Sequence, residues 1–314
     1  MQTNYEVFVI VAEEMSISKA ALHFSVTEQC ISDHIKRIEK QFGLQFFTRK
    51  PRFQLTEAGK SMLQSLQQMQ AVESMMLKNM EQRTKGEKGS FVVGINSSRA
   101  QVLLPQILPE YYEKFPEVKI SFLMDDTVIL EQRLLEAKID LFFGINTQYH
   151  ENFSYQLLRN ENIGFIVSEG LLRKHFNEAE YTNILLHPNL KYFTHLPFLG
   201  SYKTGAINFL LQSYLKANHM ELYNTYDISD VETQLSLCSK GLFAMFCPQM
   251  LLSKVNRHNA HCEKKEYIHV LNLEAFRNKL RLDLVSLQHA EKPYYLKEFE
   301  KKIQEVVRKL YINN

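Results

Sequence analysis

Isoleucines at positions 31, 35 and 38, followed by Phe42, recur at i, i+4, i+7 and i+11, so a helix through them carries one apolar stripe. The stripe is expected to face a domain core. Gln29, Ser32, Asp33, Lys36, Arg37 and Lys40 then form the opposite, polar face. Upstream, Ala20 and Ala21 offer small side chains where a second helix must come close, and Leu22 and Phe24 supply apolar bulk. His23-Phe24-Ser25 reads as the turn between the two helices, with Thr27 as cap of the second. Tyr5 to Glu14 sets Phe8, Val9 and Val11-Ala12 on a bracing helix, and Ser16 is the expected cap of the next. After Phe42, two short apolar strands flank the basic tip Arg49-Lys50-Pro51-Arg52. The pattern predicts a helix-turn-helix carrying a wing.

From Thr56 to about Lys85 there is no proline and one glycine, Gly59, which predicts a single helix on the order of 40 Å long. Positions 62, 66, 69, 73, 76, 80 and 83 alternate steps of four and three, and five of the seven are Met or Leu. That is coiled-coil spacing, with Glu73 and Arg83 breaking the seam. Arg83 to Ser90 is charged and glycine-bearing, a hinge-like linker. The pattern then changes to alternating strands and helices. Strands at 91–95, 118–124 and 139–145 with helices between them predict a βαβαβ unit. Strands at 163–167, 198–200, 223–226 and 242–246, with helices at 171–176, 205–218 and 230–239, predict a second, smaller α/β unit. Two later strands, 268–271 and 282–286, are assigned back to the first unit, and Pro293 opens a terminal amphipathic helix. Two lobes joined by two crossings would enclose a cleft.

Composition changes this picture little. With 314 residues, 45% apolar and 23% charged, the chain resembles an ordinary soluble protein. The formal net charge of +2 gives no global basic field, so any nucleic-acid signal is local. It lies at Lys36, Arg37, Lys40, Arg49, Lys50 and Arg52, six cations against one acidic residue, Glu39. Cations on a wing and a helix end suit phosphate contact, and a polar helix face suits a major groove. No stretch has the length of about 18 apolar residues that a membrane helix needs, and the amino terminus shows no signal pattern. A cytoplasmic chain with no membrane partner is expected. The four cysteines show no C-x-x-C spacing or metal-type pairing with the eleven histidines, so no metal or cofactor is expected. Walker, G-x-S-x-G, H-E-x-x-H and Rossmann fingerprints are absent. An enzyme using the two lobes is therefore the weaker alternative to binding.

Phe8 to Glu13, Ser16 to Ala21, Val26 to Ser32, Phe46 to Arg49 and Leu55 to Gly59 match, in order, the amino-terminal pattern of the LysR-type transcriptional regulator family, which the chain resembles. Glu28, Asp33 and Cys30 depart from residues common there. Further on, Leu103-Leu104-Pro105, Phe115-Pro116, Ala137 to Asp140 and Gly241 to Pro248 continue the resemblance, with Phe243 in place of a second glycine. The fold it implies is α/β, with an all-α-dominated winged helix-turn-helix domain, a long linker helix and a two-lobe, periplasmic-binding-protein-like effector domain. The expected divisions are 1–58 for DNA binding, 59–89 for linker, dimerisation and hinge, and 90–314 for the effector domain. Lobe I is about 90–162 and 268–314, lobe II about 163–267. Expected partners are double-stranded DNA, a small-molecule effector, further copies in a homodimer or homotetramer, and RNA polymerase.

Thr27, Gln29, Ser32, Asp33 and Lys36 are assigned to base edges or nearby backbone, and Ser18, Lys19, Arg37, Arg49 and Arg52 mainly to phosphates. In open α/β sheets ligands lie beyond the carboxyl ends of strands. That selects Asn96, Ser97, Ser98, Asp126, Thr127, Asn146 and Thr147 from one lobe, and Tyr202, Lys203, Thr204 and Ser229 from the other. Hydroxyls, amides and one lysine suit a carboxylate or other small anion, while Asp126 leaves a cationic or zwitterionic effector open. Ser97, Thr127 and Ser229 can also be read as plain helix caps. Phe243 is expected to fill space near the cleft. Redox sensing through Cys238 and Cys247 is the remaining alternative, although Cys247 lies in an apolar strand.

Overall fold

The computed structural model describes residues 3–48, 52–81, 88–200, 205–277, 279–288 and 292–311. Helices α1 (Thr3–Glu14), α2 (Ile17–Phe24) and α3 (Glu28–Phe42) form the head. Ser16 caps α2 by accepting from the Lys19 amide at 3.3 Å, and Thr27 caps α3 by accepting from the Cys30 amide at 3.3 Å. The turn lies later than the sequence pattern suggests. His23 and Phe24 are helical, and Ser25, at φ 54°, makes the left-handed step. Ile31, Ile35 and Ile38 are buried against Phe8, Phe46 and Phe47, and each contributes roughly 1.5–3 kcal/mol if fully buried. The stripe stops there, because Gly43 ends α3 at φ 64° and leaves Phe42 46% exposed. Leu22 is also exposed, at 80%.

The wing is an antiparallel pair, β1 (Phe47–Thr48) and β2 (Gln54–Leu55), with Phe47 and Phe53 stacked at 5.0 Å. Helix α4 (Glu57–Glu81) follows. A Cβ on Gly59 would stand 2.1 Å from the Phe46 carbonyl oxygen, so only glycine lets α4 start this close to the wing. Leu66 belongs to the head core, whereas Met69, Val72, Met76 and Leu77 are exposed. The side chain of Met80 and all of Arg83 lie outside the described residues.

Lobe I contains β3 (Lys88–Ile95), α5 (Ser97–Lys114), β4 (Glu117–Met124), α6 (Thr127–Leu135), β5 (Leu141–Ile145) and β6 (Phe153–Glu161). Lys88 to Ser90, expected in the hinge, already belong to β3. Lobe II contains β7 (Ile163–Ser168), α7 (Glu169–His175), α8 (Glu178–Leu186), β8 (Phe198–Gly200), α9 (Ala206–Ala217), β9 (Asn224–Asp227), α10 (Val231–Ser239), β10 (Met245–Pro248), α11 (Leu252–Asn259) and β11 (Ile268–Asn272). The chain returns to lobe I with β12 (Leu280–Leu287) and α12 (Tyr294–Leu310).

The five-stranded sheet runs β4-β3-β5-β12-β6 and the three-stranded sheet β10-β7-β11. Strands β8 and β9 are parallel, and Phe198 bridges to Ala244 beside β10. The sequence pattern left out β6 and α8 and placed β10 three residues early. It also assigned the strand at 268 to lobe I, but β11 pairs with β7 along Ile268 to Asn272. Both neighbours of β7 therefore come from later in the chain. The crossings fall at Asn162 and over 273–279. One hydrophobic cluster runs through both lobes, from Phe91, Tyr111 and Phe299 to Met245, Cys247 and Val255.

Candidate DNA-reading surface and effector cleft

On α3, a carboxylate organises the polar face. Asp33 accepts from the Gln29 amide at 3.0 Å and lies 3.8 Å from the Lys36 ammonium. Asp33 is therefore balanced by a cation within its own helix turn, and it holds the Gln29 side chain through its amide nitrogen. Ser32 is half-buried, Lys36 and Arg37 are exposed, and Thr27 already holds the cap. Ser18 and Lys19 stand exposed at the start of α2, where Lys19 meets Glu14 at 3.2 Å. Arg52 is exposed beside the wing, and Arg49 lies outside the described residues. Glu39, in sequence only an acid among cations, accepts from the Phe46 and Phe47 amides at 2.9 and 3.3 Å. It pins the wing to the reader helix.

The carboxyl ends of β4, β3 and β5 lie side by side and point toward the crossings, as do those of β8, β9 and β10. These ends define the cleft. Asn96 caps α5, accepting from the Ser98 amide at 3.0 Å and donating to Asp126 at 3.4 Å. Ser97 is exposed and Ser98 half-buried beside it. The caps of α5, α6 and α10 are Asn96, Asp126 and Asp230, so the cap readings of Ser97, Thr127 and Ser229 each miss by one residue. Asp126 is exposed, and among the described residues no cation pairs with it.

Two expected ligand groups are occupied within the chain. The Thr127 hydroxyl accepts from the Ile145 amide at 3.1 Å. Asn146 accepts from the Arg281 amide at 2.6 Å and donates to the Lys279 carbonyl at 3.3 Å, so it ties β5 to the second crossing. Thr147 folds back over Gly144, where its buried hydroxyl has no hydrogen-bond partner among the described residues. Ser229 is exposed, and Tyr202, Lys203 and Thr204 lie outside the described residues. Phe243 does not plug the cleft. It precedes the amino end of β10, five residues or about 16 Å along the strand from Pro248 at the cleft end, and packs edge-on to Tyr226.

The sequence reading missed Gln234, a buried side chain that donates to the carbonyls of Gly200 at 3.3 Å and of Ile228, joining the ends of β8 and β9. It also missed Glu161, a carboxylate buried at the first crossing and paired with Arg99 at 2.6 Å. Neither has a motif. Cys238 and Cys247 are both buried and unlinked. Burial pushes the Cys238 thiol up to about 12 and raises Cys247 as well, the opposite of what a reactive thiolate needs.

Among the described residues no helix is long and apolar enough to cross a membrane. The chain is 31% identical over 139 residues to the HTH-type transcriptional regulator AlsR of Bacillus subtilis, a match covering 44% of this chain and 46% of that one. It is 23% identical over 305 residues to a probable RuBisCO transcriptional regulator of Phaeodactylum tricornutum, covering 92% and 91%. In fold it is similar to full-length LysG of Corynebacterium glutamicum with bound effector Arg (TM-score 0.65, 12% identity, 98% and 97% covered). The same holds for full-length CbnR complexed with its target DNA (TM-score 0.56, 16% identity, 96% and 98% covered). Residues 3–60 match the description "Bacterial regulatory helix-turn-helix protein, lysR family" and residues 84–263 the description "LysR substrate binding domain", and the chain therefore belongs to the LysR family of transcriptional regulators.

Proposed function

We propose that this protein is a sequence-specific, DNA-binding transcriptional regulator in the cytoplasm whose DNA binding or activation responds to a small molecule in the cleft between its two lobes. The observation that carries the first part is the outward face of α3. Gln29, Ser32, Asp33 and Lys36 are presented by a helix whose other side is locked by three buried isoleucines, a geometry that suits a major groove. Ser18, Lys19, Arg37, Arg49 and Arg52 serve the phosphates, and Arg52 stands at the wing.

Asn96, Ser97, Ser98, Asp126 and Ser229 serve the effector, and Tyr202, Lys203 and Thr204, outside the described residues, are assigned to it with them. The Asp126 carboxylate beside the positive amino end of the α5 dipole supports an effector with both an anionic group and a donor or cation. Two exposed apolar surfaces support assembly as a dimer or dimer of dimers. One is the α4 stripe at Met69, Val72 and Met76. The other is an open groove of about 560 Å³ beside α5, lined by Leu104, Pro105, Leu108, Tyr112 and Met124 among others. The three parts are divided at 1–58, 59–89 and 90–314, with the last drawn back to Lys88 where β3 begins, and RNA polymerase is the partner through which transcription responds.

The test is fluorescence anisotropy on genomic fragments, from the strongest binder down to a minimal duplex, at several salt concentrations. Lys36→Ala should weaken binding, and Arg52→Ala should lower both affinity and the salt slope, the latter by about one. An Arg52→Ala protein with unchanged affinity and slope would remove the wing from the interface.

A further inference from the structure

At the first crossing, one buried carboxylate is shared between the lobes. Glu161 is the last residue of β6, and its neighbour Asn162 carries the chain into lobe II. Arg99 donates to Glu161 Oε2 at 2.6 Å and to Oε1 at 3.3 Å, and the Tyr311 hydroxyl donates to Oε1 at 2.8 Å. Both donors belong to lobe I, from α5 and from the residue after α12. The fourth bond comes from lobe II. The Met250 amide, in the 3-10 turn after β10, donates to Oε1, and the Gln249 amide donates to the Asn162 carbonyl at 3.0 Å. Arg99 and Glu161 are 1% and 0% exposed, so these bonds lie away from water.

The division of donors matters. A buried carboxylate stripped of its partners is costly, but lobe I alone supplies Glu161 with a guanidinium and a phenol. Letting go of Met250 therefore breaks one charge-assisted hydrogen bond to the carboxylate and the 3.2 Å contact of Arg99 with the Met250 sulfur, and it leaves no unpaired charge behind. Three of the four bonds to the carboxylate therefore lie within lobe I and one reaches lobe II. Arg99 also follows directly on Ser98, so movement at the amino end of α5 reaches the carboxylate within one residue.

We propose that Glu161 is a detachable inter-lobe latch, held permanently by Arg99 and Tyr311 and engaged by the Met250 amide, which sets the angle of lobe II and links it through Arg99 to the amino end of α5. The use of the latch in answering an effector rests on the proposed effector cleft, whereas its opening does not.

Native-state hydrogen exchange on the full-length protein without added ligand tests it. The Met250 amide should exchange through a local opening, about a hundredfold faster than the strand amides of Phe143 and Ile166 and with little denaturant dependence. Glu161→Gln keeps an acceptor but removes the charge, and should speed the Met250 amide about tenfold over its own wild-type rate. Each amide is compared with its own wild-type rate without denaturant, because the orphaned Arg99 speeds the globally exchanging strand amides and leaves a local opening untouched. If Met250 exchanges at the rate and denaturant dependence of Phe143 and Ile166, the two lobes open only by global unfolding and the latch is wrong. A Glu161→Gln protein in which the Met250 amide keeps its wild-type rate would overturn the latch equally. Should that variant fail to fold, the wild-type measurement decides alone. Either result leaves the proposed effector cleft to its own ligand screen.

Discussion

Glu39 takes two backbone donors from the wing onto one oxygen. In Glu39→Ala those amides lose their acceptor in a part-buried position, and the head should lose about 2 kcal/mol, read by denaturant unfolding of the full chain. Glu169 gives a pH signature in lobe II. Burial alone would raise its carboxyl, but donors from Tyr181 at 2.6 Å, Arg173 at 2.8 Å and His269 at 2.7 Å outweigh this and hold it at about 2. A depressed carboxyl stabilises the fold above its unfolded value near 4.5 and loses that contribution as pH falls toward 2. The contribution is on the order of 3 kcal/mol. Glu169→Gln should lose it at pH 7 and flatten the stability profile between pH 4.5 and 2. An unchanged profile would show that the cluster carries no such coupling. The assigned roles of Gln29, Lys36, Asn96 and Asp126 follow from residue type and position on an element, which is why the chain order alone suggested them. Glu161 and Gln234 could not be suggested that way, because their partners lie 89 and 34 residues off.

Helix α4 divides its apolar residues between two uses. Leu66 closes the head core, and beyond it Met69, Val72 and Met76, at i, i+3 and i+7, are each about half exposed. Glutamate at both Met69 and Met76 should push the assembly toward monomer, seen by analytical ultracentrifugation at micromolar concentration. The isolated head fold should survive, since neither residue belongs to its core. Retention of the full oligomer would move the dimer contact elsewhere. The heptad spacing was legible here because it is local. The exposed apolar row passes through Val72, next to the Glu73 position that the heptad spacing picks out. Helix α8 was missed, because its apolar pattern is weak, although the Asn177 and Glu180 capping box marks its start.

At the scale of the whole molecule, the two lobes share a hydrophobic cluster on the side of α5 and α12 that includes Met250 and Leu251, so the latch is expected to open by a small local movement, and any wider opening lies on the side where the strand ends meet. An effector bound there should stabilise the protein without a large rearrangement of that cluster. A thermal-shift screen of the full chain against amino acids, small carboxylates, sugars and inorganic anions tests this. A ligand at a hundred times its Kd adds about 2.7 kcal/mol. Ser98→Ala and Asp126→Asn should then reduce the shift of a zwitterionic ligand, and Phe243→Ala should not, because Phe243 lies at the far end of β10. A larger shift in Phe243→Ala would restore the idea that it obstructs the cleft.

The periodic stripe of Ile31, Ile35 and Ile38, the caps Ser16 and Thr27, the basic wing and the run of βα units were determined by the sequence itself. Each depends on residues within a few positions of one another, where helix and strand periods act directly. Tertiary structure decided that β11 pairs with β7, that β6 exists as the edge partner of β12, and that Phe42 and Leu22 stay exposed. It also committed Asn146 and Thr127 to the fold, and it brought Arg99, Met250 and Tyr311 onto Glu161. Strand partners and buried ion pairs are set by contacts between distant segments, and the energy of such a contact is absent until both segments are in place.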